Sequence, residues 1–229
     1  MNACRILSAE NNSNLSLLPL SEKILKQNPA EFAAYLNLGD IQVASASPER
    51  FISLKDGIAI SSPIKGTSAS DKFLEKDRAE NLMIVDLIRN DLSKVAKTGS
   101  VTTPRLLATE AHPGLFHLVS DVRAELAEGK DLVDLLLAMS PPGSVSGAPK
   151  SSALRIIEEN ESARGPYCGV IGFSDGTRAE LAVGIRIFWQ GEDQILRFGT
   201  GAGITWGSDS ELEWEETELK ARKLIGLTR

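Results

Sequence analysis

The stretch RFISLKDGIAISSPIKGT, residues 50–67, decides the fold of this chain. It holds two strand-like runs, 50–54 and 58–62, which are joined through Asp56 and Gly57. An Asp-Gly pair between two apolar runs is the strongest short-range signal for a β-hairpin. The sequence therefore predicts that antiparallel strands organise the molecule.

The same stretch ends in a lysine with candidate chemistry. Lys65 follows the second strand and precedes Gly66, which leaves room for a ligand to approach the backbone. The Thr67 hydroxyl can donate a hydrogen bond at the same place. A lysine in a dry pocket can act as a nucleophile, whereas the alternative interpretation is a strand-end lysine that points into water.

The remaining segments predict an α+β fold in which mostly antiparallel sheets are flanked by helices. We expect helices at 28–36, 71–95, 131–139, 150–160 and 209–227, and further strands at 41–45, 101–109, 115–126, 167–173, 181–189 and 195–198. Ser208 and Glu211 are placed as a capping box for the last helix. No repeat or linker divides the chain, so we expect one domain over 28–229, preceded by an irregular N-terminal segment, 1–27.

Composition excludes several classes of protein. The net charge of −6 and the pI near 5.1 argue against nucleic acid as a partner, and no Lys/Arg run indicates a membrane surface. The sequence holds no apolar run long enough to span a bilayer and no signal-peptide core. Cys4 and Cys168 are too few for a disulfide framework or a thiolate metal site. We therefore expect a soluble, reduced, cytoplasmic protein.

Two acidic patches lie on predicted helices. Asp77 and Glu80 are three residues apart near the start of the long helix, and Glu213 and Glu216 have the same spacing in the last helix. That spacing places both carboxylates on one helix face. Acidic residues in a first turn also favour the helix dipole, which is the simpler interpretation. If the two patches face each other, their repulsion requires a hard cation, and Mg²⁺ suits that role.

Other stretches imitate ligand-binding loops. Residues 198–204 hold closely spaced small residues whose N–H groups can form an anion-binding nest, although their glycine spacing does not fit a dinucleotide fingerprint. Residues 143–151 imitate a phosphate loop, but Pro149 has no N–H to offer a phosphate. Arg186 is either a strand-edge residue or a carboxylate-binding fork, and His117 is either a core histidine or a catalyst.

Taken together, these stretches resemble the chorismate-utilising enzymes. The matching blocks follow one another in order: 28–36, 47–51, 63–67, 76–92, 117–120, 143–150, 165–169 and 201–217. The resemblance covers roughly residues 28–226. It implies the fold of anthranilate synthase component I and an enzyme that binds chorismate.

Lys65 discriminates within this family. The resemblance places alanine at this position in anthranilate synthases, whereas the lysine form is similar to aminodeoxychorismate synthase component I, which makes 4-amino-4-deoxychorismate for p-aminobenzoate and folate. It implies that Lys65 attacks C2 of chorismate while Glu49 protonates the departing C4 hydroxyl. Ammonia, supplied by a glutamine amidotransferase subunit (component II), then adds at C4 and expels the lysine. A carboxyl with the task of Glu49 needs a raised pKa, which burial supplies.

The resemblance also assigns the binding groups. It implies that Glu80 and Glu216 hold Mg²⁺, with Glu213 close by, and that the ion bridges to one substrate carboxylate. The other carboxylate and the ring are met by Gly66, Thr67, His117, Tyr167, Arg186, Gly201, Ala202, Gly203 and Lys220. Asp77 is expected to support this set from behind.

Complete members of this family are longer than the present sequence. We expect the N-terminal part of the catalytic fold, which supplies further strands of the same sheets, to be missing here. Two alternatives therefore stay open beside the lysine-dependent enzyme. One is an anthranilate synthase component I in which Lys65 has no covalent role, and the other is an inactive chorismate-binding fragment.

Overall fold

The structure, a computed structural model, describes residues 1–11, 16–68, 70–112 and 115–228, without the side chains of Thr67, His112 and Leu115. The strands are β1 (Asn2–Glu10), β2 (Phe32–Asn37), β3 (Ile41–Ser47), β4 (Arg50–Lys55), β5 (Ile58–Ser62), β6 (Ile64–Ser68), β7 (Thr102–His112), β8 (Leu115–Glu125), β9 (Val170–Ser174), β10 (Arg178–Val183), β11 (Ile187–Gly191) and β12 (Ile195–Gly203). The helices are α1 (Leu18–Gln27), α2 (Glu75–Ser93), α3 (Leu132–Met139), α4 (Gly143–Ser146), α5 (Lys150–Asn160) and α6 (Ser210–Gly226).

The strands form two antiparallel sheets. One sheet has five strands in the order β1-β12-β11-β3-β2. The other has seven strands in the order β6-β8-β5-β4-β10-β9, with β7 paired to β8 as well. The predicted fold class, antiparallel sheets flanked by helices, is confirmed.

Two hydrophobic clusters cover the two faces of the five-stranded sheet. Ile187 and Trp189 of β11 point into a large cluster that also contains residues of the other sheet and of α2 and α3. Phe188, between them, points to the opposite face and packs with Leu224 of α6 and Ile24 of α1. This alternation follows from the two-residue period of a strand, so the five-stranded sheet is a middle layer.

The prediction of an irregular segment over 1–27 is wrong. Residues 2–10 form β1, which pairs with β12 along its whole length, from Asn2 opposite Gly203 to Glu10 opposite Ile195. The partner strand lies almost at the other end of the chain, and local pattern does not report such a pairing. Helix α1 follows, with Pro19 in its first turn.

The predicted helix at 28–36 is also wrong. Pro29 does not open a helix; Asn28 instead ends α1, its N–H bonding to the carbonyl of Ile24. Residues 32–37 are strand β2, which pairs with β3 from Phe32 opposite Ser47 to Asn37 opposite Gln42. Pairing with a neighbouring strand outweighs the weak local helix signal.

Three boundaries near the candidate site differ from the predictions. The strand predicted at 181–189 is broken at 184–186, where the chain leaves the seven-stranded sheet and enters the five-stranded one. The strand predicted to end at 198 continues to Gly203. At the start of α6 the cap is Asp209, whose carboxylate accepts from the N–H groups of Glu211 and Leu212, so Ser208 does not form the expected capping box.

The hairpin, the long helix and the other strands agree with the sequence. Asp56 and Gly57 turn with φ of 51° and 73°, and β4 pairs with β5 across them. Helix α2 begins at Glu75 rather than Asp71. Within the described residues, no helix combines the length and the apolar character that crossing a bilayer requires.

Candidate active site

Glu49 and Lys65 meet at one residue of α4. Glu49 follows β3 and is 4% exposed. Burial raises the pKa of its carboxyl to about 7, although a hydrogen bond from Ser144, the charge of Lys65 and the amide of Ile64 favour the ionised form. The Lys65 amine donates to the carbonyl oxygen of Ser144 at 3.0 Å. An acid poised near neutral pH and a lysine amine are therefore neighbours.

A bulge in β6 aims the Lys65 side chain. The pairing of β6 with β8 shifts register between Ile64 and Thr67, so Lys65 and Gly66 lie at the irregularity. Bulges bend an edge strand and redirect its side chains. Gly66 has φ of +93°, and a Cβ there would lie 3.0 Å from the Cβ of Asp77. Only glycine fits this backbone against the start of α2.

Asp77 supports the site as a helix cap. Its carboxylate accepts from the Leu74 amide at 3.0 Å, so it closes the first turn of α2. This is the helix-start chemistry that the sequence offered as the simpler interpretation. Asp77 also packs against Gly66, so it lies behind the lysine strand.

His117 lies on the strand next to the lysine. It belongs to β8, opposite Thr67 of β6, and is 3% exposed. The side chain of Thr67 is outside the described residues, so its predicted hydroxyl contact stays a prediction. The β6–β8 pairing places the backbones of both residues beside the bulge.

Arg186 lies in the connection between the two sheets. The predicted strand position of Arg186 is wrong, because the residue lies between β10 and β11 with φ of 53°. Its carbonyl oxygen accepts a hydrogen bond from the amide of Ala46. Burial lowers the pKa of its guanidinium, and the nearby Glu49 carboxylate opposes that effect. Among the described residues, none forms a hydrogen bond with this guanidinium. Its donors are therefore available to an anionic ligand beside Glu49.

The predicted nest at Gly201 to Gly203 is wrong, because these residues belong to β12. Met1 and Ile204 exchange both backbone hydrogen bonds, at 2.9 and 2.7 Å. Since hydrogen-bonded pairs alternate in an antiparallel ladder, Ala202 also pairs with β1. The amides of Gly201 and Gly203 therefore face the opposite edge of β12, away from β1. The Ala202 amide does not face that edge.

Tyr167 and the glycines of β12 fit one another. A Cβ at Gly199 would lie 2.1 Å from the Tyr167 ring, and one at Gly201 would lie 3.2 Å from its hydroxyl. Tyr167 is 6% exposed, and burial raises the pKa of its hydroxyl. The small residues therefore make room for an aromatic ring, and the Tyr167 hydroxyl lies beside the Gly201 backbone.

Lysines neutralise the acidic patches in this structure. The Lys76 amine donates to Glu213 at 3.0 Å, and the charges of Glu213, Glu80 and Glu216 all raise the pKa of Lys76. The Lys220 amine lies 2.6 Å from Glu216 and donates to the carbonyl of Gly201 at 3.0 Å. The acidic ends of α2 and α6 therefore do face each other across Lys76.

One carboxylate oxygen in this patch has no partner. Glu213 is 6% exposed; its Oε1 accepts from Lys76 and Ser208, whereas Oε2 is buried without a hydrogen bond. A buried lone carboxylate oxygen suits a divalent cation. In the part of the chain that the structure describes, however, no three Asp, Glu, His or Cys side chains are close enough to form a metal site as they stand.

The lysine side and the acidic side of the site adjoin. The Met1 amine is within electrostatic reach of both Lys65 and Glu80, and burial and Lys65 lower its pKa while Glu80 raises it. Glu80 also lies beside Gly203 of β12, 3.7 Å from where a Cβ would be. The structure thus brings most of the predicted residues to one region, where the two sheets meet α2, α4 and α6.

Sequence reasoning missed two residues of this region. Ser144 accepts from Lys65 and affects the pKa of Glu49, but the sequence analysis gave it no role, although its stretch was compared with a phosphate loop and matched the family. Lys76 was also overlooked, and it lies between the acidic patches. Because it comes one helical turn before Glu80, it lies on the same helix face as Glu80. That spacing was a usable signal.

Comparison with known proteins identifies the family. Residues 1–226 match the family model described as chorismate binding enzyme. This chain belongs to the chorismate-binding enzyme family. The match begins at residue 1, which agrees with the place of β1 in the sheet.

Relatives within this family carry two different names. Anthranilate synthase component 1 of Aquifex aeolicus is 42% identical over 213 residues, which are 86% of this chain and 43% of that protein. Aminodeoxychorismate synthase component 1 of Salmonella typhimurium is 40% identical over 219 residues, which are 89% of this chain and 48% of that protein. The chain therefore spans about half the length of the curated relatives it matches.

Two solved structures share the fold of this chain. Anthranilate synthase component I from Streptococcus pneumoniae superposes with a TM-score of 0.87 at 33% identity, over 97% of this chain and 52% of that one. The menaquinone-specific isochorismate synthase of Escherichia coli gives 0.84 at 22% identity, over 100% of this chain and 56% of that one, and supports the fold alone.

Proposed function

We propose that this chorismate-binding chain is the catalytic part of an aminodeoxychorismate synthase component I. It would convert chorismate and ammonia to 4-amino-4-deoxychorismate through a covalent bond to Lys65. The observation that carries the proposal is the meeting of the Lys65 amine and the buried Glu49 carboxyl at Ser144. The identities do not decide, because the anthranilate synthase and aminodeoxychorismate synthase relatives are about equally similar.

In the first step the nitrogen of the Lys65 amine attacks C2 of chorismate. Both ring double bonds shift by one position, the C4–oxygen bond breaks, and Glu49 gives its proton to the departing hydroxyl, which leaves as water. The raised pKa of Glu49 keeps that proton available up to about pH 7. In the second step ammonia forms a bond to C4, both double bonds return to their first positions, and the bond between C2 and the Lys65 nitrogen breaks. The added nitrogen gives a proton back to Glu49, which restores the acid.

The substrate carries two carboxylates, and the site offers cationic groups for them. Arg186 and Lys220 would bind one carboxylate, together with the outward amides of Gly201 and Gly203 and the Tyr167 hydroxyl. Gly66, Thr67 and His117 would line the ring. Each of these contacts is a proposal.

We assign the magnesium site of this proposal to Glu80, Glu213 and Glu216. The unpartnered Oε2 of Glu213 fits a metal ligand. Bound Mg²⁺ would neutralise these carboxylates and one carboxylate of the substrate. For that, the amines of Lys76 and Lys220 must give up their present contacts with Glu213 and Glu216.

A mass measurement on the whole protein tests the covalent step. Incubation with chorismate and Mg²⁺ in the absence of ammonia should add the mass of chorismate minus one water, and peptide mapping should locate it on Lys65. Lys65→Ala should show no adduct. Lys72→Ala, which removes an exposed lysine nearby, should form it as the unaltered chain does. An unmodified wild-type protein under these conditions would argue against the proposal.

The identity of the product distinguishes this proposal from the alternative that the chain is an anthranilate synthase. The 42% identity to the Aquifex aeolicus protein supports that alternative. With ammonium present, aminodeoxychorismate retains the enolpyruvyl group. Fluorescent anthranilate and released pyruvate would therefore favour the alternative. We further propose that a glutamine amidotransferase subunit supplies the ammonia, so glutamine should replace ammonium only when that subunit is added.

A further inference from the structure

We propose that Ser144 is a positioning residue that couples the acid to the nucleophile. Its carbonyl oxygen accepts from the Lys65 amine at 3.0 Å, and Ser144 lines the same small cavity as Glu49, where its side chain favours the ionised form of the carboxyl. Ser144 is buried on α4. One residue thus holds both groups, one through its backbone and the other through its side chain. The roles of acid and nucleophile rest on the proposed function; the coupling itself does not.

The backbone around Ser144 is fixed from several sides. The Ser146 hydroxyl donates to the Pro142 carbonyl at 2.9 Å, and Arg164 donates to the Val145 carbonyl at 3.0 Å. Gly143 packs closely against α2, because a Cβ there would lie 2.5 Å from a methyl carbon of Leu87. The Ser144 carbonyl and hydroxyl therefore keep their directions.

The Ser144 hydroxyl lowers the pKa of Glu49, whereas burial of the carboxyl raises it. A hydrogen bond to a carboxylate stabilises the ionised form, whereas desolvation disfavours it. The other charged groups facing Glu49 are Lys65 of β6 and Arg186 of the β10–β11 connection. Across a cavity of about 10 Å³ lie Arg50 of β4 and Asp91 of α2. Among these groups, Ser144 has the largest effect that favours the ionised carboxylate of Glu49.

Titration of Glu49 in the substrate-free protein tests the coupling. The carboxyl can be followed by carbon-13 NMR across pH and assigned by its loss in Glu49→Gln. In Ser144→Ala the carbonyl contact to Lys65 remains and the hydroxyl is gone. The titration midpoint of Glu49 should then rise from about 7 by about one pH unit or more.

Ser21→Ala is the control, because it removes a buried hydroxyl from α1, which packs in the second hydrophobic cluster, away from the residues that line the Glu49 cavity. Its midpoint should equal that of the wild type. If Ser144→Ala does not fold, Ser144→Cys takes its place; the thiol keeps the size, donates weakly and should shift the midpoint in the same direction.

An unchanged midpoint in the Ser144 variant, or an equal shift in Ser21→Ala, would overturn the inference. The result is distinguishable from failure of the proposed function. A wild-type chain that forms no Lys65 adduct contradicts the covalent mechanism, while the titration, which uses no substrate, still reports whether Ser144 controls Glu49.

Discussion

At the scale of single residues, the buried Glu49 carboxyl couples the stability of the fold to pH. Its pKa is raised from 4.5 to about 7 in the folded chain. The folded state therefore holds the proton more tightly than the unfolded state. This contribution to stability is complete below pH 4.5 and is lost as the pH rises through 7.

Glu49→Gln should remove this dependence. Over the range from pH 4.5 to above 7, the wild type should lose about 3 kcal/mol of unfolding free energy that the variant does not lose. Urea denaturation at a series of pH values measures it. Glu22→Gln, an exposed change on α1, should keep the wild-type slope. Parallel curves for wild type and Glu49→Gln would show that Glu49 does not titrate in this way.

Gly66 carries a second residue-scale prediction. Gly66→Ala should cost more than Gly57→Ala, although both glycines have positive φ, of 93° and 73°. A Cβ at Gly57 meets nothing within 4 Å, whereas one at Gly66 lies 3.0 Å from Asp77 and 3.1 Å from Phe73.

We expect Gly57→Ala to lower the unfolding free energy by about 1 kcal/mol, from backbone strain alone, and Gly66→Ala to lower it by about 3 kcal/mol. Because Lys65 precedes Gly66 in the bulge, Gly66→Ala should also slow the formation of the Lys65 adduct. Denaturant unfolding gives the first comparison and mass spectrometry gives the second. Equal costs at the two positions would mean that the start of α2 yields to the new methyl group.

At the scale of elements, α4 and its flanking turns are held by a buried ion pair. Lys150, at the start of α5, donates to Asp91 of α2 at 2.6 Å and to the Met139 carbonyl at the end of α3 at 2.8 Å. The lysine thus closes the connection from α3 to α5, which contains Ser144. The Asp91 side chain is 4% exposed, so its charge depends on such partners.

Lys150→Met should destabilise the chain by about 3 kcal/mol, because it leaves a buried carboxylate short of a partner. It should also release Ser144 from Lys65 and lower adduct formation. Lys130→Met is the matched control: its pair with Asp134 on α3 is much more exposed, and we expect a loss below about 1 kcal/mol. Urea unfolding of both variants decides. A similar small loss in both would show that Lys94, the other partner of Asp91, suffices.

At the scale of the whole molecule, the sequence predicted the parts whose signals are local. The Asp56-Gly57 hairpin, α2, β8 and α3 have turn residues or apolar periods of their own. The sequence analysis found Glu49, Lys65 and the acidic patches because carboxylates and amines are the usual acids, nucleophiles and metal ligands of enzymes. Their grouping was implied by family resemblance, not by spacing.

The errors concern contacts between distant parts of the chain. Residues 2–10 become a strand only because β12 lies beside them. Gly199 and Gly201 have no side chain because Tyr167 and Ala3 occupy the space that one would fill. Local pattern assigned the first stretch no structure and the second a nest. Ser144 was missed for the same reason, since its partners come from β6 and the turn after β3.

Both sheets contribute to one core, and this predicts how the molecule unfolds. Val43 and Trp189 of the five-stranded sheet pack in the same cluster as Phe51 of the other sheet and Ile84 of α2. The candidate site also takes Lys65 from one sheet and the Gly201 strand from the other. A loss of either sheet would expose this shared cluster, so we expect a single cooperative transition.

Phe188→Ala tests this coupling from the far side of the five-stranded sheet. Phe188 is 1% exposed in the second cluster, where its ring centroid lies 4.7 Å from that of Phe198. The cavity should cost about 3–5 kcal/mol and lower the temperature of the one transition by several degrees. Calorimetry should still give equal calorimetric and van't Hoff enthalpies. Phe173→Ala, at a ring that is 51% exposed, should stay near the wild type. If Phe188→Ala showed two separate thermal transitions, and only one had a lower midpoint temperature than in the wild type, the two sheets would unfold independently. The candidate site would then lie between two weakly coupled halves.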